Sequence, residues 1–350
     1  MRELGSSGRS RTEYVDTIRA IACVALVSFH VLGGGPEEGL RLPADHWVNQ
    51  FVMALSHMRM PLFSFISGFV FLAVSRDVPD MRRKIGSKAR RLLVPCICVS
   101  TLFWLTRSLN GGETKPLWAI FFTPYAIYWF LQATFLLMTV FLVLTRLSGN
   151  RDTTVAAVLL VVVGAAWVLL PRPAVELFSW YSALYLCPFF MGGYLLARRR
   201  KGERPEDLPG TGRVPVCFAI LAAAGYAAWH LDLLVWDRDT PIREVSSMAI
   251  GFVACLAMFF LRPSHPLLAR IGERSYAVFL FHIFFTAAST QVLAKVVPDL
   301  PLVFAYLTAL TAGIIGPIAV EAVLARHQLT ARMFLGLKTA APSRVAEVRS

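Results

Sequence analysis

Long apolar segments recur along the whole 350-residue chain, separated by short polar connections. Most are long enough to cross ~30 Å of hydrocarbon as helices, and the alternating pattern of membrane strands does not recur. We therefore predict an all-α fold, a polytopic transmembrane bundle of about ten helices. The predicted spans cover residues 15–33, 51–75, 92–107, 126–147, 154–170, 178–197, 215–235, 245–261, 275–296 and 301–324.

The composition indicates a membrane protein, and membrane topology accounts for the basic charge, so we expect no nucleic-acid partner. Hydrophobic residues make up 56% of the chain and charged residues only 16%, which excludes an ordinary soluble domain. The net charge of +13 comes from Lys and Arg that concentrate in alternate connections, 26 on one side against 6 on the other. This positive-inside pattern predicts cytoplasmic N- and C-termini in a multi-pass protein of the cell (inner or plasma) membrane.

The domain organisation follows from the same pattern. We predict a disordered cytoplasmic lead at residues 1–12, a transmembrane domain at 13–325 and a basic cytoplasmic tail at 326–350. The six cysteines fall within or at the edges of predicted spans, and Cys96-x-Cys98 lacks metal-ligand spacing, so we expect no metal site and no tightly bound cofactor.

The first span carries ionisable residues that do not belong in lipid. Arg19 and His30 are eleven residues apart, so on a helix they share a face and lie roughly 16 Å apart along its axis. Such residues usually face a cavity or a partner. Asp16 precedes Arg19 by three residues, a spacing that allows a purely structural ion pair as readily as a functional one.

Polar residues interrupt other spans as well. The second span contains His57, Arg59 and Pro61 near one end and Ser67-Gly68 further along, where the Ser-Gly pair fits close helix packing. In the ninth span His282 lies seven residues after Ser275 on the same helical face, which is compatible with either a packing residue or a cavity residue.

The densest basic stretch precedes the third span. Lys88 and Arg91 lie one helical turn apart, with Arg90 between them. This arrangement suits a phosphorylated ligand, although a basic stretch at this place is more often a determinant of topology or a contact with lipid headgroups.

These motifs together resemble the integral-membrane acyltransferase 3 family over about residues 13 to 325. The matching elements are Asp16-Thr-Ile-Arg19 with ten residues between Arg19 and His30, Arg59-Met-Pro61 through Ser67-Gly68-Phe69, Lys88-Ala-Arg90-Arg91-Leu-Leu-Val-Pro95, Trp129-Phe-Leu, and Gly272-Glu-Arg-Ser275-Tyr276 through His282. The resemblance implies a ten-helix membrane enzyme that moves acyl groups, commonly acetyl, from cytoplasmic acyl-CoA to hydroxyls of sugars and related acceptors.

The resemblance also implies roles for particular residues. His30 becomes the catalytic candidate in an Arg-x10-His pair with Arg19, and Lys88 and Arg91 match a basic pair proposed to bind the CoA phosphates. Lysine stands where that motif more often has arginine, which leaves open whether Arg90 takes part. The implied partners are acyl-CoA, a carbohydrate or glycoconjugate acceptor and the lipid bilayer, and a homo-oligomer is compatible.

The expected mechanism has neutral His30 accepting the proton of an acceptor hydroxyl as it attacks the thioester. Asp16 and Arg19 would set the local electrostatics, and a covalent acyl-histidine is the less favoured variant. The candidates for orienting the acceptor or stabilising the oxyanion are His57, Arg59, Ser67 and His282.

Two functions of other classes stay open: a secondary transporter and a non-catalytic membrane assembly subunit. The acceptor and the length of the acyl group also stay open.

Overall fold

The computed structural model describes residues 4–33, 39–43, 46–74, 80–112, 115–200, 213, 215–216, 219–220, 223 and 241–338. Within these residues every regular element is helical, which confirms the predicted all-α class. The helices are α1 (Leu4–Leu32), α2 (Trp47–Ala54), α3 (Ser56–Val74), α4 (Met81–Leu109), α5 (Ala119–Phe122), α6 (Trp129–Leu147), α7 (Asp152–Leu169), α8 (Trp180–Arg199), α9 (Pro241–Leu261), α10 (Pro266–Glu273), α11 (Ser275–Val296), α12 (Leu302–Leu324) and α13 (Gln328–Leu335), with a 3₁₀ turn at Ala126–Tyr128.

Seven helical segments of the described chain are long and apolar enough to cross a membrane. They are Glu13–Leu32, Met81–Leu109, Ala119–Leu147, Asp152–Leu169, Glu244–Leu261, Ser275–Val296 and Leu302–Leu324. The total of about ten helices and the cytoplasmic termini stay predictions, and most of the predicted span at 215–235 lies outside the described residues.

The first helix is central and the seventh is peripheral. In the most apolar window of α1, 72% of the residues are buried, against 11% in α7. The exposed side of α7 presents large apolar side chains, including Val158, Val161 and Val162, which is the surface that lipid requires of an outer helix. Polar residues on α1 therefore face protein rather than acyl chains.

Glycines allow α3 and α8 to pack backbone against backbone. A Cβ atom on Gly68 would lie 1.9 Å from the carbonyl oxygen of Phe190, and a Cβ on Gly193 would lie 2.0 Å from that of Phe65. Neither helix tolerates a side chain at these positions, as expected where small residues bring membrane helices together. The glycine of the Ser67-Gly68 motif is thus a packing residue.

The observed boundaries differ from the predicted ones in several places, and the following differences concern the first three spans. The second span is interrupted at Leu55 between α2 and α3. The helix of the third predicted span, α4, begins at Met81, where Asp80 accepts a hydrogen bond from the backbone N–H of Arg82 (3.0 Å), so the basic stretch is helical. Helical backbone also begins at Leu4, within the predicted lead. The division into lead, transmembrane domain and tail stays a prediction.

Candidate functional site

Two parallel helices, α1 and α11, bring two intramembrane histidines together. The Cys23 thiol of α1 contacts the backbone carbonyl of Ser275 at the start of α11 (3.8 Å). His30 and His282 each follow these residues by seven positions, about two helical turns. As a result the two imidazole rings meet, with 5.0 Å between their centroids and 51° between their planes.

The ring of His282 is fixed by its own helix. It is fully buried, and its Nδ1–H donates to the carbonyl oxygens of Val278 (2.8 Å) and Phe279 (3.0 Å). Carbonyl oxygens only accept, so Nδ1 carries the proton and a neutral ring has its lone pair on Nε2. That Nε2 atom is buried and has no hydrogen-bond partner within the described chain.

Arg59 of α3 completes the group, which we call the histidine cluster (His30, Arg59 and His282). Its guanidinium carbon lies 3.5 Å from the centre of the Phe29 ring, and the side chain is buried. Its charge acts on both imidazoles. One terminal nitrogen, Nη1, is buried and has no hydrogen-bond partner among the described residues.

The histidine cluster therefore contains one unused donor and one unused acceptor. A buried polar atom without a partner costs about 1–3 kcal/mol, and more when it is charged, so two such atoms beside His30 indicate a place where a polar ligand would bind. A ligand that brings an acceptor oxygen to Arg59 and a donor to the imidazoles would satisfy both.

The basic residues of α4 lie nearer the N-terminal end of α11 than the histidine cluster does. The Lys88 ammonium is 5.0 Å from the centre of the Phe71 ring, and the Arg91 guanidinium is 6.0 Å from that of Tyr276. The Tyr276 hydroxyl also donates to the Arg91 carbonyl. His282 follows Tyr276 by six residues, which places the histidines roughly 9 Å further along α11.

Arg90 lies on a different side of α4 from Lys88. Two residues along a helix turn the side-chain direction by about 200°, so the two point away from one another, whereas Lys88 and Arg91 differ by only about 60°. The Nε atom of Arg90 is buried without a hydrogen-bond partner in the part of the chain that is described.

Asp16 and Arg19 form an ion pair of 2.6 Å at the same end of the bundle as the basic residues. Asp16 is largely buried. A Cβ atom on Gly272 of α10 would lie 1.7 Å from the Asp16 carbonyl oxygen, so α1 and α10 are in backbone contact at this point. Arg19 precedes Cys23 by about one helical turn and His30 by about three. The ion pair therefore lies roughly 16 Å from the histidine cluster along α1, as its spacing predicts.

The structure leaves His57 and Ser67 outside the cluster. The His57 imidazole contacts the Ser247 hydroxyl of α9 through Nδ1 (2.5 Å). Ser67 is eight residues from Arg59, about 12 Å along α3. Neither residue has a described contact with His30 or His282.

Two aromatic residues of the site were not candidates from the sequence. Phe29 supplies the ring beneath Arg59, and Tyr276 links Arg91 to α11. Phe29 directly precedes His30, but neighbouring residues diverge by ~100° on a helix, so nothing in the pattern indicates that its ring reaches a residue of α3. Tyr276 belongs to a matching motif, although its partner is set by tertiary packing.

A family model described as an acyltransferase domain, that of the acyltransferase 3 family, matches residues 12–325, which is nearly the whole chain and includes the histidine cluster and the basic residues. The chain belongs to the acyltransferase 3 family. Searches of the curated proteins and of the solved structures found no match. Together with its apolar helices, family membership identifies a multi-pass membrane acyltransferase.

Proposed function

We propose that this acyltransferase 3 protein transfers an acyl group, acetyl in the first instance, from cytoplasmic acyl-CoA to a hydroxyl of a sugar or glycoconjugate. The observation that supports the proposal is the pair of unused polar atoms beside His30, Arg59 Nη1 and His282 Nε2. A thioester carbonyl supplies the acceptor oxygen that Arg59 lacks, and an attacking hydroxyl supplies a proton to a histidine.

The donor is proposed to enter from the basic end. Lys88 and Arg91 share a face of α4, and they would bind the phosphates of CoA by point charge and by a planar fork. Lys88 precedes Arg91 by one further turn, so the phosphates would lie roughly 9–14 Å from the histidines along the helix axes. The extended pantetheine arm covers such a length and would bring the thioester to the histidine cluster.

Transfer then needs one base and one stabilised oxyanion. His30 accepts the hydroxyl proton as the acceptor oxygen forms a bond to the thioester carbon, and Arg59 donates to the carbonyl oxygen as it becomes negative. When the C–S bond breaks, the carbonyl reforms and the CoA thiolate takes the proton from His30. His282 is proposed as a positioning residue, because its ring lies against that of His30, with 5.0 Å between the centroids, and its Nε2 has no other partner in the described chain. In the reaction this Nε2 would accept a hydrogen bond from one nitrogen of His30, so that the other nitrogen of His30 acts as base.

His30→Ala tests the catalytic assignment. Membranes containing the protein are incubated with acetyl-CoA and a panel of mono- and oligosaccharide acceptors, and acceptor-dependent CoA release is measured with a thiol reagent. Loss of a general base lowers the rate typically 10²–10⁴-fold. The control is His327→Ala, an exposed histidine between α12 and α13. Undiminished turnover in folded His30→Ala would contradict the assignment.

Lys88→Ala combined with Arg91→Ala tests the donor site. The double variant should raise the KM for acetyl-CoA and leave turnover with acetyl-pantetheine, which lacks the nucleotide phosphates, unchanged. An unchanged KM would reject the phosphate site. Movement of a labelled sugar across the membrane without CoA release would instead indicate the transporter alternative.

A further inference from the structure

The C-terminal helix α13 docks against the basic end of α4, beyond the residues that match the family. The match ends at residue 325, and α13 spans Gln328–Leu335. Ala331 and Leu335 are buried, and the helix ends at Gly336 in the left-handed conformation (φ 64°), with its N–H bonded to the carbonyl of Arg332 (3.2 Å). Glycine at this position is a common way to end a helix.

Gly336 contacts the backbone of the residues proposed to bind the donor. A Cβ at this position would lie 2.6 Å from the Arg91 Cα and 2.8 Å from the Arg90 carbonyl oxygen. Tyr276 of α11 contacts the same short stretch through its hydrogen bond to the Arg91 carbonyl. The position of Arg91 is therefore set by two elements, and one of them is the C-terminal segment.

A further basic residue, Lys338, follows the end of α13. Lys338 is exposed and lies two residues after Gly336, so its Cα is at most ~7 Å from the Gly336 Cα. The chain thus carries an exposed lysine two residues beyond the glycine that contacts α4, and this lysine lies outside the residues of the family match. The buried, unpartnered Nε of Arg90 shows that this end of α4 also has donor capacity that the described chain leaves unused.

We propose that the C-terminal segment 328–338 completes the site for the donor phosphates: Gly336 fixes the position of Arg91, and Lys338 binds a phosphate of acyl-CoA. This inference rests on the proposed acyl-CoA donor. It assigns residues that follow the family match to substrate binding, so the selectivity for a phosphorylated donor depends partly on the segment 328–338.

Gly336→Ala, with Gly111→Ala as matched control, tests the positioning role in the full-length protein. Both glycines have positive φ, 64° and 71°, so alanine strains the backbone equally, but a Cβ at Gly111 meets nothing within 4 Å. Gly336→Ala should raise the KM for acetyl-CoA about tenfold, as expected for a weakened charge-assisted contact, while kcat/KM for acetyl-pantetheine stays within about twofold. Gly111→Ala should change neither value.

Lys338→Glu tests the binding role without disturbing packing, because this side chain is exposed. Its control is Lys295→Glu, an exposed lysine at the far end of α11. The first variant should raise the KM for acetyl-CoA roughly tenfold and should respond less to added salt, since a phosphate contact is screened by ions. Lys295→Glu should leave the KM for acetyl-CoA and the KM for acetyl-pantetheine unchanged.

The outcomes separate this inference from the proposed function. A raised KM for acetyl-CoA in the double variant Lys88→Ala with Arg91→Ala, combined with wild-type values for Gly336→Ala and Lys338→Glu, would overturn the role of the C-terminal segment alone. Unchanged KM values in all of these variants would overturn the phosphate site itself. Equal losses with acetyl-CoA and acetyl-pantetheine would make the segment a structural element and would also overturn the inference.

Discussion

Replacing Arg59 by methionine should slow acyl transfer strongly and yet leave the protein at least as stable as the wild type. Arg59 is buried in the bundle, its guanidinium lies 3.5 Å from the centre of the Phe29 ring, and Nη1 has no partner among the described residues. Methionine keeps a flexible apolar chain of similar length but removes the charge and every donor. The two consequences have opposite signs.

The stability change can be worked from these contacts. Loss of the cation–π contact costs about 2 kcal/mol for a desolvated pair. Removal of the charge recovers the penalty of an ionised side chain at membrane depth, about 2.5–3.5 kcal/mol on insertion scales. The balance favours the variant by about 0.5–1.5 kcal/mol, which corresponds to a rise in Tm of a few degrees at most.

The catalytic change is larger. If Nη1 donates to the developing oxyanion, its removal should lower kcat about 10²–10³-fold, the usual effect of deleting one oxyanion donor. The assay compares kcat for acetyl-CoA with the Tm from tryptophan fluorescence, for protein in lipid nanodiscs.

Arg200→Met is the matched control. Arg200 is also buried and lies 5.1 Å from the centre of the Phe260 ring, but its Nη1 donates to the Phe259 carbonyl (2.7 Å). This variant should lower Tm, because it leaves a buried carbonyl without its donor, and should leave kcat near the wild-type value. A large fall in Tm with unchanged kcat for Arg59→Met would refute the oxyanion role.

Three further predictions concern the positioning of the cluster and the packing of the bundle. His282→Phe should lower kcat roughly 10²-fold with an unchanged KM for acetyl-CoA, because it removes the acceptor proposed to orient His30 during the reaction. His282→Gln should recover part of the rate, and equal rates for both variants would contradict a positioning role. Gly193→Ala should prevent stable folding or lower Tm by many degrees, since its Cβ would lie 2.0 Å from the Phe65 carbonyl oxygen. A Tm equal to that of the wild type would contradict the tight packing of α3 against α8. Asp152→Asn should lower the free energy of unfolding by about 1–2 kcal/mol, because it weakens a half-buried ion pair with Arg198 and a 2.5 Å hydrogen bond from Tyr194. The control is Asp80→Asn, at an exposed ion pair with Arg83. It should change the free energy of unfolding by less than about 0.5 kcal/mol in the same measurement.

Much of the site could be predicted from the sequence because polar residues in apolar spans have few acceptable places. The spacing of Arg19 and His30 on one helix, and of Lys88 and Arg91 on another, depends only on helical geometry. The structure keeps these spacings, since each pair lies within a single continuous helix. Any pair within one helix is predictable in this way.

The relations between helices could not be predicted. Nothing in the spacing indicates that His282 rather than His57 meets His30, because both are single histidines in apolar segments. The choice is made by helix packing: the contact of Cys23 with Ser275 aligns α1 and α11 so that His30 meets His282, whereas His57 contacts Ser247 of α9. The contact of Gly336 with Arg91 joins residues 245 positions apart and has no local signal.

By itself the sequence determined that this chain is a helical membrane protein, where its main apolar spans lie and which residues are costly to place in lipid, because hydrophobic length and charge act locally and add along the chain. Only the tertiary structure decided which of those residues form a site, since that depends on which helix faces meet. It set Arg59 beside His30 and His282, left Ser67 out, and brought the C-terminal segment to the basic residues of α4.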